Sequence, residues 1–117
     1  MTDGLHAAAE ERSLELHRAV AERLRSDPAL VERARDRVVR WLREGTVARP
    51  YGEAWLALLG RPLDELTDFL VEPGERARRM RQTSPFAGAL SPRERWGILR
   101  RMRERSIRQR TARSSST

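Results

Sequence analysis

Apolar side chains recur three or four residues apart along most of this chain of 117 residues, and Pro or Gly interrupts the pattern at intervals. Such spacing is typical of helices with one apolar face, whereas strands alternate every second residue. A chain of this length forms one modest domain rather than two. The pattern therefore predicts an all-α protein, a small bundle of five to six helices. We expect a single helical domain over residues 1–110 and a disordered, Ser/Thr-rich tail over residues 111–117.

The interruptions of this apolar pattern give the expected order of the helices, because Pro favours a helix start and Gly favours a helix end. The predicted helices begin near Asp3 or Ala7, at Pro28, Tyr51, Pro62, Arg76 and Pro92. They end near Arg25, before Gly45, at Leu59, before Glu72, at Arg81 and near Arg108. The joint between the first two helices is short, so these helices should form an antiparallel hairpin.

The strongest helix start in the chain is the sequence Ser-Pro-Arg-Glu at residues 91–94. The Ser91 hydroxyl can accept a hydrogen bond from the backbone of Glu94, and the Glu94 carboxylate can accept one from the backbone of Ser91. Pro92 suits the first position of a helix because its missing N–H would have no helical partner there. The sequence therefore predicts that a basic C-terminal helix begins at this point.

The positive charge of the chain is concentrated at this C-terminal end. The formal net charge is +7 and every basic residue is Arg, which is typical of a GC-rich bacterial genome. Residues 1–92 contain 15 Arg and 15 acidic residues, whereas residues 93–117 contain 9 Arg and 2 Glu. This distribution indicates an interaction segment for nucleic acid or for an acidic protein surface. The alternative is a solvated helix whose charge only keeps the protein soluble.

Residue types that perform catalysis are few and scattered. The chain has no cysteine, and its two histidines, His6 and His17, are too far apart along a helix to bind one metal ion. Both are expected to be solvated. No Gly-rich phosphate loop is present. We therefore expect no enzyme activity, no metal and no cofactor. The sequence has no signal peptide and no apolar run long enough to span a membrane, so a cytoplasmic location is expected.

The aromatic residues divide into expected core and expected surface. Trp41 and Trp55 belong to apolar stripes and should be mostly buried. Trp96 lies among arginines in the basic helix, where it either anchors a partner or docks the helix on the body. Phe86, in the turn over residues 84–90, either fills the core or enters a pocket of a partner. The predicted partner-binding residues are Phe86, Arg93, Trp96, Leu99, Arg100, Met102 and Arg103.

The run Met80–Trp96, with the letters MRQTSPFAGALSPRERW, resembles a signature of small Arg-rich bacterial proteins encoded beside toxin genes. The resemblance also takes in residues 14–24 and 27–30, and it spans most of the chain from Leu14 to Arg103. Such proteins look like the antitoxins of toxin–antitoxin pairs. The resemblance therefore implies an antitoxin that binds and neutralises a cognate toxin protein. A zeta-type kinase is the first expectation for that toxin, and a nucleotidyltransferase-type toxin is the second.

Two modes of neutralisation are compatible with the sequence. The Arg-rich helix can pair with carboxylates around the nucleotide site of a toxin. Alternatively, Glu10, Glu11 and Glu15 of the first helix can mimic anions in a phosphate cleft. The sequence does not decide between them.

Two other functions stay open as well. One is nucleic-acid binding through the C-terminal helix, with operator DNA as a possible partner. Against it, the chain has no helix-turn-helix signature and no Asn, so only Gln82 and Gln109 are available to recognise adenine. The other is a helical adaptor without any toxin.

Overall fold

The computed structural model describes the backbone of residues 2–115 and the side chains of residues 7–113. Within this part of the chain the protein has six helices and no strand, which confirms the all-α prediction. The helices are α1 (Thr2–Ser26), α2 (Ala29–Glu44), α3 (Arg49–Leu59), α4 (Leu63–Leu70), α5 (Glu75–Gln82) and α6 (Pro92–Ser115).

Most helix boundaries follow the Pro and Gly residues of the sequence. Gly45 ends α2 with φ 72°, a left-handed conformation, and its N–H donates to the Trp41 carbonyl. Only a residue without a Cβ adopts this conformation at little cost. Asp27 does not cap α2 through its side chain, since the N-terminal position is taken by Pro28 without a side-chain hydrogen bond.

The C-terminal helix is longer than predicted. The sequence predicted an end near Arg108 and a disordered tail over residues 111–117, whereas α6 continues to Ser115. Among its residues, Gln109, Arg110, Ala112 and Arg113 favour helices. The Thr111 hydroxyl donates to the Ile107 carbonyl one turn earlier, at 3.0 Å. Ser116 and Thr117, the rest of the expected tail, lie outside the described residues.

The pairing of the helices differs from the predicted hairpin. α2 packs mainly on α3, and α1 packs mainly on α4, while α1 and α2 touch each other only slightly. α1 and α2 are consecutive and joined by a short connection, but each packs mainly on another helix. The reason is that the apolar face of α2, with Leu30, Ala34 and Val38 buried, is covered by elements that come later in the chain.

The core centres on Trp55, which is fully buried. Its ring meets Phe86 edge-to-face, with centroids 6.0 Å apart, and its indole N–H donates to the Thr83 hydroxyl at 3.1 Å. Trp55 therefore lies where the sequence placed it, whereas Trp41 is only half-buried at the edge of the core. Other side chains that are fully buried are Leu24, Val38, Leu66, Thr67, Leu70 and Pro85.

The molecule is elongated, with extents of 55 × 33 × 24 Å. Its radius of gyration is 16.2 Å, larger than the value of about 13 Å expected for a compact domain of this length. The outer half of α6 contributes to this shape, because every side chain from Arg103 to Arg113 is exposed. A body of packed helices thus carries a cationic helix that projects from it.

Candidate functional site

The start of α6 is fixed by the capping box that the sequence predicted. The Glu94 N–H donates to the Ser91 hydroxyl, and the Ser91 N–H donates to the Glu94 carboxylate, each at 3.1 Å. The hydrogen bond from the Ser91 backbone, together with the Ser91 hydroxyl and the nearby Arg23, lowers the pKa of Glu94. Arg23 also forms an ion pair with Glu94. The first turn of α6 is therefore tied both to its own cap and to α1.

α6 runs antiparallel to α1. Glu94 near the start of α6 pairs with Arg23 near the end of α1, and Arg105 lies 3.8 Å from Glu15, two turns earlier in α1. An open groove of about 380 Å³ lies between the outer parts of the two helices. Leu14 and Met102 line it among charged and polar side chains. One side of α6 is therefore occupied by α1.

The opposite side of α6 is not covered by any element of the described chain. Trp96 is 65% exposed and Ile107 is 46% exposed, and the arginines between and beyond them are exposed too. At 3.6 residues per turn these side chains fall within an arc of about 80°, and they extend over about 21 Å. We call this set the α6 stripe: Trp96, Arg100, Arg103, Ile107 and Arg110.

The arginines of the α6 stripe have no carboxylate partner in the described part of the chain. No Asp or Glu oxygen of that part lies within 4.0 Å of Arg100, Arg103 or Arg110. By contrast, Arg105 on the α1 side of the same helix is paired. The α6 stripe thus combines two exposed apolar side chains with three guanidinium groups that are available for another molecule.

The structure separates the seven predicted partner-binding residues. Arg93, Trp96, Arg100 and Arg103 are exposed, and Leu99 is half-buried. Met102 belongs to the groove facing α1, because it lies about 120° around the helix from Trp96. Phe86 is 4% exposed and packs on Trp55, so it takes the core role of the two alternatives. Phe86 and Met102 therefore do not belong to the α6 stripe. Ile107 and Arg110, which are not among the predicted residues, do belong to it.

Four helices hold the turn over residues 84–90, and no sequence pattern indicated these contacts. Ser84 bonds to His17 of α1, the Pro85 carbonyl accepts from Arg37 of α2, and Phe86 packs on Trp55 of α3. Arg95 of α6 donates to the Ala87 carbonyl at 3.4 Å. Gly88 permits the close approach of Arg37, since a Cβ at this position would lie 3.1 Å from the guanidinium.

His17 is buried, with 7% exposure, so the prediction of a solvated histidine was wrong. Its Nδ1 lies 2.7 Å from the Ser13 carbonyl, which can only accept, so Nδ1 carries the proton and donates. Nε2 then accepts from the Ser84 hydroxyl at 2.8 Å, and Ser84 Oγ accepts from the Phe86 N–H at 3.2 Å. The spacing of Ser13 and His17 gave a weak local signal, but the contact with Ser84 spans 67 positions. The side chain of His6 lies outside the described residues.

Burial is the main cause that lowers the pKa of His17 from its ordinary value, and the positive charges of Arg81 and Arg95 lower it further. The hydrogen bond to the Ser13 carbonyl acts in the opposite direction. Arg81 is itself buried and donates to the carbonyls of Leu70 and Glu72 at the end of α4, at 3.3 and 2.7 Å. These carbonyls have no helical partner, so Arg81 caps α4 from α5.

Comparison with known proteins identifies no relative: no family model, no curated protein and no solved structure matches this chain. Among the described residues, no helix has the length and apolarity needed to cross a membrane. In the same part of the chain, no three His, Asp or Glu side chains converge as metal ligands.

Proposed function

We propose that this protein is a bacterial antitoxin that binds a cognate toxin protein in the cytoplasm through the α6 stripe. The observation that carries the proposal is the exposure of Trp96 and Ile107 among three arginines without carboxylate partners in the described chain. Trp and Arg are enriched among the residues that contribute most to binding between proteins. An apolar ridge flanked by guanidinium groups suits a groove with acidic rims.

The ion pairs of α1 favour neutralisation through the arginines of α6 over neutralisation through the acidic residues of α1. The N-terminal mode requires Glu10, Glu11 and Glu15 to be available as anion mimics. Glu15 already contacts Arg18 at 2.6 Å and Arg105 at 3.8 Å, and Glu10 lies 3.6 Å from Arg78. Carboxylates with cationic partners on the same molecule are less available to a second one, so the free arginines of α6 are the better contact.

The toxin class that we propose is a nucleotide-binding toxin, with a zeta-type kinase first. The support is the resemblance of residues 80–96 to antitoxin-like proteins, together with the charge of α6. Enzymes that transfer phosphoryl groups use carboxylates to hold metal ions and orient the nucleophile. Arg side chains can bind such carboxylates through two parallel hydrogen bonds. Arg100 and Arg103 would then compete with the metal or the substrate for these groups.

Nucleic acid is the second candidate partner, because the whole net charge of +7 lies in residues 93–117. The apolar members of the α6 stripe argue against it as the main partner, since a phosphate backbone offers no apolar pocket. The two candidates differ in their response to salt. Phosphate contacts lose affinity steeply as salt rises, whereas charge at a protein interface acts mainly on the association rate.

The test is a growth assay in which the protein is co-expressed with the product of a toxin-sized neighbouring gene. The wild-type protein should restore growth. The double variant Arg100→Glu/Arg103→Glu should fail to restore it, because charge reversal repels an acidic groove. Its melting temperature should stay close to that of the wild type, since both side chains are exposed and have no carboxylate partner in the described chain.

The matched control is Arg40→Glu/Arg43→Glu, which changes the charge equally at two exposed positions of α2. This control should restore growth. Full rescue by the α6 double variant would refute the α6 stripe as the binding site and would favour the N-terminal helix. Failure of the wild-type protein to neutralise the neighbouring gene product would refute the antitoxin proposal itself.

A further inference from the structure

A pocket of about 370 Å³ lies on another side of the molecule, between α1, the 84–90 turn and the start of α6. Its polar lining contains Arg12, His17, Arg81, Ser84 and Arg95. No Asp or Glu of the described chain lines it, although about one residue in seven of the sequence is acidic. Three guanidinium groups around one cavity without a lining carboxylate create a local positive potential. This arrangement differs from the rest of the body, where arginines and carboxylates mostly pair.

Two of the three arginines keep donors available for a ligand. Arg12 is exposed and makes no hydrogen bond or ion pair within the described residues. Arg95 makes only a long hydrogen bond to the Ala87 carbonyl. Arg81 donates through one nitrogen to the carbonyls at the end of α4, and the residue also lines the pocket. Planar guanidinium groups bind phosphate oxygens through paired hydrogen bonds, which a single ammonium group cannot do.

The floor of the pocket is built by the His17–Ser84 pair. The Ser84 hydroxyl and the imidazole are held by the Ser13 carbonyl and the Phe86 N–H, so they have fixed positions before a ligand arrives. Glu10 of α1 lines an adjoining recess, not this pocket, and lies 3.6 Å from Arg78. A concave pocket that combines apolar lining residues with a few fixed, convergent polar groups is typical of a ligand site.

We propose that this pocket binds a small phosphate-bearing molecule through Arg12, Arg81 and Arg95. The volume is sufficient for a diphosphate group or a small phosphorylated metabolite and too small for a macromolecule. The ligand would join α1, α5 and α6 at one point, because each helix contributes one arginine. This site does not depend on the antitoxin proposal, since none of its residues belongs to the α6 stripe.

The experiment is isothermal titration calorimetry of the full chain with pyrophosphate as the probe, at constant ionic strength. The variant Arg12→Gln/Arg95→Gln should bind about tenfold more weakly or worse, because each charged hydrogen bond contributes strongly to binding. Both residues are exposed, so this variant should fold. The matched control is Arg100→Gln/Arg103→Gln, which removes the same charge from α6 outside the pocket and should bind pyrophosphate like the wild type.

A second measurement locates the ligand independently of the variants. Pyrophosphate should raise the pKa of His17, because an anion in the pocket offsets the positive charges of Arg81 and Arg95 that lower it. The measurement is a nuclear magnetic resonance titration of the imidazole, with the second histidine assigned by a His6→Gln variant. Glu10 of the adjoining recess is already close to Arg78 and contributes equally with and without the probe.

Three outcomes would overturn the proposal. Equal loss of affinity in the α6 control would show that pyrophosphate binds to cationic surface in general. An unchanged pKa of His17 with saturating pyrophosphate would place the anion elsewhere. Tighter binding of citrate than of pyrophosphate would contradict the assignment to phosphate chemistry. None of these outcomes changes the result expected in the growth assay, so this proposal and the antitoxin proposal can fail separately.

Discussion

The 84–90 turn and the α6 stripe are neighbours in the sequence but have opposite environments. The turn is nearly apolar and is held by side chains from four helices, through His17, Arg37, Trp55 and Arg95. The stripe begins six residues after the turn ends and, like the turn, carries one large aromatic residue. Yet Phe86 is 4% exposed and Trp96 is 65% exposed. Two aromatic residues ten positions apart therefore have different roles, one in the core and one on the surface.

The difference comes from what covers each segment. Of the helices that contact the turn, α1, α2 and α3 precede it in the chain and α6 follows it. The turn is therefore surrounded by the packed helices of the body. α6 then leaves this body along α1, and only one of its sides has a helix to pack against. The opposite side contains side chains that no described element covers. Residues of the turn should therefore determine stability, whereas residues of the stripe should determine binding.

The largest effect expected from this comparison is on stability at Trp55. Trp55→Ala should lower the free energy of unfolding by about 3–5 kcal/mol, because the ring is fully buried and its indole N–H bonds to Thr83. Trp96→Ala should change it by less than about 0.5 kcal/mol, since most of that side chain is in water. Urea unfolding followed by circular dichroism measures both. Similar losses in the two variants would show that α6 packs more tightly than described.

A smaller effect is expected at His17. His17→Ala should cost about 1–3 kcal/mol, because the half-buried Ser84 hydroxyl loses its acceptor. The wild type should also lose stability as the pH falls below 6.5, the ordinary pKa of His, and should be constant above it. The pKa is lowered in the folded state, so the unfolded chain binds more protons in this range and acid favours unfolding.

The control for this pH dependence is His17→Gln, which cannot titrate. Arg side chains in general stay charged in this pH range. Arg81 and Arg95, the arginines whose charges act on the imidazole, therefore cannot produce the effect. The measurement is urea unfolding of both proteins at about pH 5.5 and about pH 7.5. A decrease of equal size in the variant would assign the pH dependence to a group other than His17.

The helices and the α6 cap could be predicted from sequence, whereas the exposed surface could be predicted only in part. Local signals were sufficient for Gly45, Pro92 and the Ser91–Glu94 capping box, because both partners lie within one turn. The α6 stripe depends on where α1 packs, which no local pattern of α6 encodes. Met102, one of the predicted partner-binding residues, lies instead in the groove that faces α1.

Long-range polar contacts were beyond prediction for a related reason. His17 and Ser84 are 67 positions apart, and neither residue type has to be buried. Arg81 belongs to a basic run that is typical of a solvated face, yet it is buried because the end of α4 needs donors. Partners of this kind are determined by the tertiary fold and not by spacing in the sequence.

The central claim is that the outer side of α6 is kept free for a partner while the 84–90 turn is structural. Hydrogen exchange of the free protein and of its complex with the neighbouring gene product tests this claim directly. In the free protein, amides of residues 100–113 should exchange quickly and those of the turn slowly, because few contacts hold the outer half of α6. In the complex, protection should rise over residues 96–110 and stay unchanged in the turn. Strong protection of residues 100–113 before binding, or protection by the partner confined to α1 or α2, would contradict the claim.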